Sequence, residues 1–324
     1  MANCHFLEEL GYLGYAGFRS AIGVAAFMAP FYIRHFGSEE LKSRFLPKLE
    51  IGDCICALAI TDQSGGSNLQ TISCHSEQHM TSDSILLKGG KSYVANGQHA
   101  DLIITLVRTG SSDASNHLAV ASFFAIPADI EGIGKTSICM LGWKGADICH
   151  LNFNGCLVDH TNIIGHPNMA MLYLSEALKF ERLVAGTLAL GSVKKALDLI
   201  IQTVKGKKIH GKLFSDFQAI SHPLAEYISR YHMLEVFCQQ IWHEHSTSDS
   251  GVDMYKAAIL KTQATELNVC IATDFIRFSG AEGYTEGAVS SRLYRDAIGA
   301  TLAAGPNELL RTVIAEEVIN NHVI

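Results

Sequence analysis

The feature that most constrains this chain is a helix-patterned stretch, residues 168–204, with a carboxylate set into its apolar face. Leu174, Leu178, Glu181, Ala185 and Leu188 follow at steps of four and three, which places them on one face of an α-helix. Residues 183–193 carry no charge, so the helix is expected to be buried there on nearly every side. A carboxylate on such a face loses hydration, which disfavours its charged form. That is the setting in which a carboxylate takes a proton near neutral pH. The alternative is a structural ion pair of Glu181 with Lys179, Arg182 or Arg277. Arg182 is poorly placed for it, because neighbours at i and i+1 do not face each other on a helix.

A chain of 324 residues is long enough for two or three packed units. Its formal net charge of −7 offers no basic field, which argues against nucleic acid and anionic membrane as partners. Nine cysteines, an odd number without a CxxC pair, point to free thiols in a reducing compartment, with a cytoplasmic location expected. Glu8 and Glu9 come too early for a signal peptide. The apolar run 20–33 is short for a bilayer and contains Pro30, so a core helix and no membrane span are expected.

The expected fold class is α+β, taken as three domains. Residues 1–53 form a partial N-terminal helical domain, in which Ser38 caps a helix with Glu39 and Glu40 in its first turn. Residues 54–166 form a middle β-barrel-like domain, with strand-like runs at 56–60, 84–87, 102–107, 118–126 and 148–153 between Gly, Ser, Asn and Asp clusters. Residues 167–324 form a C-terminal antiparallel helical bundle, with helices at 168–204, 216–246, 252–278 and 306–322. Pro223 predicts a kink or a restart in the second of these.

Gly65-Gly66-Ser67, just after the first strand, could present backbone N–H groups to an anion or a flavin edge, or form an ordinary turn. There is no GxGxxG and no GxxxxGK[ST], so neither a Rossmann nor a P-loop nucleotide site is supported. His243-Glu244-His245 lacks the i, i+4 spacing of a metal helix and reads as a solvated face; no metal site is expected. No GxSxG elbow frames a nucleophile.

Several loose motifs nevertheless stand in a telling order. Thr61-Asp62-Gln63-Ser64-Gly65-Gly66-Ser67-Asn68, then Tyr93-Val94-Ala95-Asn96-Gly97 with Ala100-Asp101, resemble the middle domain of acyl-CoA dehydrogenases. Gly142-Trp143-Lys144 through Phe153 to Gly165 looks like that domain's exit. Phe180-Glu181-Arg182-Leu183, His210-Gly211-Lys212-Leu213 with Gln218, and Gly280-Ala281-Glu282-Gly283-Tyr284 are similar to the family's C-terminal domain. So are Arg292-Leu293-Tyr294-Arg295-Asp296-Ala297 and the turn Ala304-Gly305-Pro306-Asn307-Glu308.

The resemblance implies FAD held between the β-domain and the C-terminal helices, and oxidation of an acyl thioester, on CoA or a carrier protein, to the 2,3-enoyl thioester. A glutamate removes the α-proton while the β-hydrogen leaves as hydride to the flavin. Many members carry that glutamate on the active-site turn, where this chain has Ala304. A subgroup of isovaleryl- and long-chain-type enzymes carries it on the helix in an E-R-L setting, which Glu181, Arg182 and Leu183 match. The resemblance therefore implies Glu181 as base, with Arg182 beside it and the backbone N–H of Ala304 as a donor to the thioester oxygen. The implied flavin contacts are Leu58, Ile60, Thr61, Gly66, Ser67, Tyr93 and Ala95 in the β-domain. In the helical domain they are Lys207, His210, Gln218, Arg277, Ala281 and Pro306.

Lys207 stands where an arginine usually reaches a neighbour's flavin pyrophosphate, and Ala95, Ala281 and Pro306 replace a threonine, a glycine and a threonine of the family pattern. Implied partners are an electron-transfer flavoprotein or another acceptor and further copies of this chain in a homodimer or homotetramer. The family's opening helices are missing before Glu8, so side chains between Tyr12 and Tyr32 are expected to be partly exposed and covered by a second polypeptide or a carrier-borne substrate. A non-catalytic binding subunit and an oxygen-activating flavoprotein are the competing readings.

Overall fold

In the computed structural model, which describes residues 1–78, 84–248 and 251–321, helices open and close the chain, and a mixed sheet stands between them in sequence. The first helices are α1 (Ala2–Tyr12), α2 (Ala16–Ile22), α3 (Ala29–Phe36) and α4 (Glu39–Ile51), with a π-helical segment Gly23–Met28 joining α2 to α3. The strands are β1 (Cys56–Ala59), β2 (His75–Gln78), β3 (Ile85–Val94), β4 (Leu102–Arg108), β5 (Ala121–Pro127), β6 (Ile133–Ser137), β7 (Cys149–Val158) and β8 (Ile163–Ile164). Then come α5 (Ala170–Gly206), a hairpin of β9 (Lys208–Ile209) and β10 (Lys212–Leu213), and α6 (Gln218–Thr247). The last helices are α7 (Met254–Ser279), α8 (Val289–Leu302) and α9 (Asn307–Asn321). The fold is α+β, as expected; residue 322 of the last expected helix lies outside the described residues.

The chain divides into two compact units, Ser20–Met140 with Lys144–Leu178, and Met1–Arg19 with Leu141–Trp143 and everything from Lys179. The grouping differs from the three expected segments. Tyr32, Ile33, Leu41 and Phe45 share one core with the strands, and so do Tyr173, Leu174 and Ala177 at the start of α5.

In the sheet unit the strands run β6-β7-β3-β2-β4-β5-β8, and β1 pairs parallel with β4. Residues 102–107 of β4 and 121–126 of β5 are buried on both faces, as their largely apolar runs suggest, and buried Thr105 is satisfied by donating to Ala59 O at 3.1 Å. The Tyr32 ring lies 4.4 Å from that of Phe123, and Phe36 stacks on Tyr173 at 4.3 Å. Ser38 caps α4 by accepting from the Leu41 N–H at 3.2 Å, as its position predicts. Three strands, β2, β6 and β8, lie outside the expected runs, and β3 continues past 87 through Gly89 and Gly90. Gly89 is needed because chain passes close over the strand there, whereas Gly90 faces only the ends of side chains. A Cβ on Gly89, which sits at φ +120, would stand 2.6 Å from Cys74 Cα, and one on Gly90 would stand 2.6 Å from Gln63 Cδ.

The length argument against a membrane span needs correction. With the π-helical segment included, helix runs from Ala16 to Phe36, which is 21 residues with mean hydropathy 1.3. Burial decides instead: Ala29, Tyr32 and Ile33 are fully enclosed in the core of the sheet unit. Earlier in the chain, Leu13, Tyr15 and Phe18 are exposed, as expected for part of this region.

In the helical unit, residues 183–193 of α5 are buried apart from half-buried Ala185. Trp242 donates from Nε1 to Thr187 Oγ1 at 2.9 Å, tying α6 to α5. α1 crosses α5 at two glycines, where a Cβ on Gly191 would collide with the Glu8 carbonyl oxygen and one on Gly11 with that of Leu188. Both obstacles are backbone, so the helices would have to part. Gly191→Ala is therefore expected to lower the unfolding free energy by about 1–3 kcal/mol; urea denaturation showing an unchanged midpoint would contradict this crossing. α6 runs through Pro223 without a restart, so the proline costs one backbone hydrogen bond near the helix start. α8 was not among the expected helices, because its buried face combines Leu293 with the small Ala297 and Ala300.

Candidate functional site

Glu181 and Arg182 sit where α5 is most enclosed, 5% and 4% exposed. The Arg182 guanidinium reaches the turn between α8 and α9, where a Cβ on Gly305 would stand 3.6 Å from its Nη2. Its Nη1 donates to Met254 Sδ, and its buried Nε has no partner among the described residues. Burial holds Arg182 below its ordinary pKa, with the charge of Glu181 acting against that shift. Arg277 is bonded to Asp274 at 3.0 Å, and Arg182 forms no ion pair among the described residues.

The turn holds Ala304 at φ 53, a left-handed conformation that costs an L-residue about 1–2 kcal/mol. Among the described residues its N–H donates to no acceptor. Under the turn lies Lys261 of α7, fully buried, with Nζ donating to Thr301 O at 3.1 Å and to Gly305 O and Asn307 Oδ1 at 2.8 Å. Asn307 is held in turn by Nδ2 donating to Thr265 Oγ1 at 3.0 Å and Glu266 Oε1 at 3.2 Å. Pro306 completes this turn. Two of the expected site residues, Arg182 and Ala304, thus occupy one neighbourhood with Lys261, and Glu181 precedes Arg182 on α5 with its charge acting on the guanidinium.

A second group forms elsewhere in the same unit. Lys207 donates to Phe278 O at 2.9 Å and lies 5.0 Å over the Phe214 ring, so its ammonium closes the end of α7 within its own chain. His210 stands at the hairpin tip with φ 49, Gln218 opens α6, and Arg277 and Ala281 are exposed near the end of α7. His243-Glu244-His245 is not wholly a solvated face, which corrects the expectation. Glu244 pairs with Lys256 at 2.7 Å, and the His245 ring turns inward, 5.8 Å from Phe180 and 5.9 Å from Trp242. Burial lowers the pKa of that imidazole.

In the sheet unit, Ser92 N–H donates to Thr61 O at 2.8 Å, which brings the end of β1 beside the Tyr93 segment. Leu58 and Ile60 pack partly on the core, Ala95 is half-buried, and Tyr93 is exposed at φ 57. The loop between is anchored by Asp62. One carboxylate oxygen receives the fully buried Lys91, and the other accepts from Ser73 Oγ at 2.8 Å and Cys74 N–H at 2.9 Å. Beyond this anchor Gly66 and Ser67 keep N–H groups without acceptors among the described residues, and a Cβ on Gly66 would meet nothing within 4 Å. Such unspent donors suit the oxygens of a flavin dinucleotide, so the residues present fit the cofactor.

Sequence reasoning missed Asp62, Lys91, Lys261 and Asn307 as organisers of these groups. Lys261 left a readable signal. Ala257, Lys261, Ala264, Asn268 and Ile271 are buried at the same steps of four and three that single out Glu181.

Comparison with known proteins places these observations. The acyl-CoA dehydrogenase N-terminal, middle and C-terminal domains match residues 1–53, 57–156 and 171–319. The chain is 27% identical over 291 residues to the mitochondrial long-chain specific acyl-CoA dehydrogenase of Sus scrofa, covering 90% of this chain and 66% of that protein. It is 28% identical over 287 residues to the 2-methylacyl-CoA dehydrogenase of Solanum tuberosum, covering 88% and 68%. It therefore spans about two thirds of the length of these curated relatives. An acyl-CoA dehydrogenase from Geobacillus kaustophilus superposes with a TM-score of 0.90 at 27% identity, over 98% of this chain and 82% of that one. A prolyl acyl carrier protein oxidase superposes with a TM-score of 0.87 at 25% identity, over 95% and 81%. With all three domains matched in order, the chain belongs to the FAD-dependent acyl-CoA dehydrogenase family.

Proposed function

We propose that this chain is an FAD-dependent dehydrogenase of acyl thioesters that forms the 2,3-enoyl thioester. The observation that carries the reading is a buried carboxylate, Glu181, on α5 beside Arg182, whose guanidinium reaches the turn that holds the left-handed Ala304 with its unspent N–H. Glu181 takes the α-proton onto a carboxylate oxygen, in a pocket dry enough for a carboxylate to act as a base. The Ala304 N–H donates to the thioester oxygen as negative charge grows there, and the nearby cations of Arg182 and Lys261 favour the same charge. Bound FAD would supply the acceptor for the β-hydride.

The thioester is borne by CoA or, as the likeness to a carrier-protein oxidase suggests, by an acyl carrier protein. Electrons pass on to an electron-transfer flavoprotein or another acceptor, and the working form is a homodimer or homotetramer. All nine cysteines are free, in keeping with a reducing compartment such as the cytoplasm. The test is anaerobic mixing of the FAD-loaded protein with a panel of acyl-CoA and acyl-pantetheine thioesters. Loss of the oxidised flavin's colour with at least one of them is the expected result. Colour that persists with every thioester, yet is lost on adding dithionite, contradicts the reading.

A further inference from the structure

Lys261 has no place in the roles described so far beyond its charge, yet its contacts are unusual. The side chain is 0% exposed and forms no ion pair among the described residues. Its three acceptors match the three N–H bonds of an ammonium; a neutral amine would satisfy only two. Two of the three are the carbonyls of Thr301 and Gly305, which bracket Ala304 along the chain. The base of the side chain is fixed as well, since α5 crosses α7 there so closely that a Cβ on Gly186 would stand 3.1 Å from Lys261 N. Burial and the neighbouring Arg182 pull this ammonium down to about 7, against the opposing charges of Glu308 and Glu266. A cation kept at that cost, and spent on a turn, calls for a function there.

We propose that Lys261 is the positioning residue of the active-site turn, its ammonium drawing Thr301 O, Gly305 O and Asn307 Oδ1 to one point so that the Ala304 N–H is held in its left-handed, outward-donating conformation. The inference rests on the dehydrogenase reading, because only a developing oxyanion gives that N–H a task. Lys261 touches no reacting atom; it acts through the backbone of residues 301–307. An N–H held rigidly in place stabilises negative charge without reorganising at the moment of reaction, and a loosened turn forfeits that.

The experiment uses FAD-loaded protein and acetoacetyl-CoA, a 3-oxoacyl thioester whose α-carbon ionises without any hydride transfer. The absorbance of the bound enolate is followed against pH, and binding of the un-ionised form is measured at low pH. The wild-type protein should lower the thioester's ionisation pH relative to free solution. Lys261→Met should raise it by at least about one unit, a tenfold loss of enolate, with binding of the un-ionised form unchanged. Lys261→Arg keeps the charge but replaces the point-like ammonium with a planar fork, and should shift in the same direction. Should neither variant fold, Asn307→Ala, which removes one acceptor, should give a smaller shift of the same sign. A folded Lys261→Met protein that ionises the thioester at the wild-type pH overturns the proposal. So does a Lys261→Arg protein that behaves as wild type, because charge alone would then suffice. If the wild-type protein itself leaves the ionisation where it is in free solution, the dehydrogenase reading fails, and the role given to Lys261 falls with it.

Discussion

Glu181→Gln should slow flavin reduction by an acyl thioester by at least about 10²-fold while leaving FAD content and thioester binding intact. Gln is nearly isosteric, so it keeps the packing of a side chain that is 5% exposed on a helix already enclosed on nearly every side. It cannot accept the α-proton. The position at which other family members carry their base is Ala304 here, so that position holds no carboxylate that could take over. Arg182 packs on the opposite side of the question. Its guanidinium lies against Gly305, where it favours negative charge at the turn but takes no proton. Stopped-flow reduction at the wild-type rate in the variant would remove Glu181 from the mechanism.

The other large effect concerns the sheet unit. Asp62→Ala would leave the ammonium of Lys91, itself 0% exposed, with only the Ile60 carbonyl, at 2.9 Å, as acceptor among the described residues. Breaking a buried pair on one side costs about 3–5 kcal/mol, because the abandoned charge stays buried. The same change removes the acceptor for Ser73 and Cys74 and so frees the loop that carries Gly66 and Ser67. FAD retention should fall together with stability. Burial pushes the Asp62 pKa up, but the charge and hydrogen bond of Lys91, with the bonds from Cys74 and Ser73, outweigh it and leave the net shift downward. Its stabilising share is therefore complete above the unfolded carboxylate value, about 3.9, and is lost as pH falls through the lower folded value. Urea unfolding should show the Asp62→Ala deficit in full at pH 7 and shrinking at acid pH. A deficit under about 1 kcal/mol at pH 7 would mean that Lys91 finds other partners.

What could be read from the sequence was what local periodicity and local chemistry determine. Glu181 stood out because a carboxylate interrupts an apolar stripe, and Ser38 because a cap needs only the next three residues. The strands β4 and β5 were legible for the same reason, being largely apolar runs buried on both faces. Legibility failed where a residue's role depends on distant chain. Gly89 and Gly90 look like a strand break until Cys74 and Gln63 are seen against them. Lys91 finds Asp62 29 positions away, and Lys261 finds Asn307 46 positions away, so neither contact leaves a local trace. Lys261 was also hidden by habit, since a lysine on a helix ordinarily carries its charge to water. The left-handed backbone at Tyr93, His210 and Ala304 was equally silent, because Tyr and Ala do not predict positive φ and His favours it too weakly to mark one position. These three belong to the expected site, whereas Asn96, Trp143, Asp147 and Asn168, also at positive φ, do not.

The central claim, that Glu181 removes an α-proton from an acyl thioester, is separable from hydride transfer. A thioester such as 3,3-dimethylbutanoyl-CoA has α-hydrogens but no β-hydrogen, so it offers a proton to the base and nothing to the flavin. Incubated with the FAD-loaded protein in heavy water, its α-position should exchange hydrogen for deuterium, as followed by mass spectrometry. The wild-type protein should catalyse this exchange, and Glu181→Gln should reduce it to the rate without protein. Equal exchange in the two proteins, while both bind the thioester, would contradict the account.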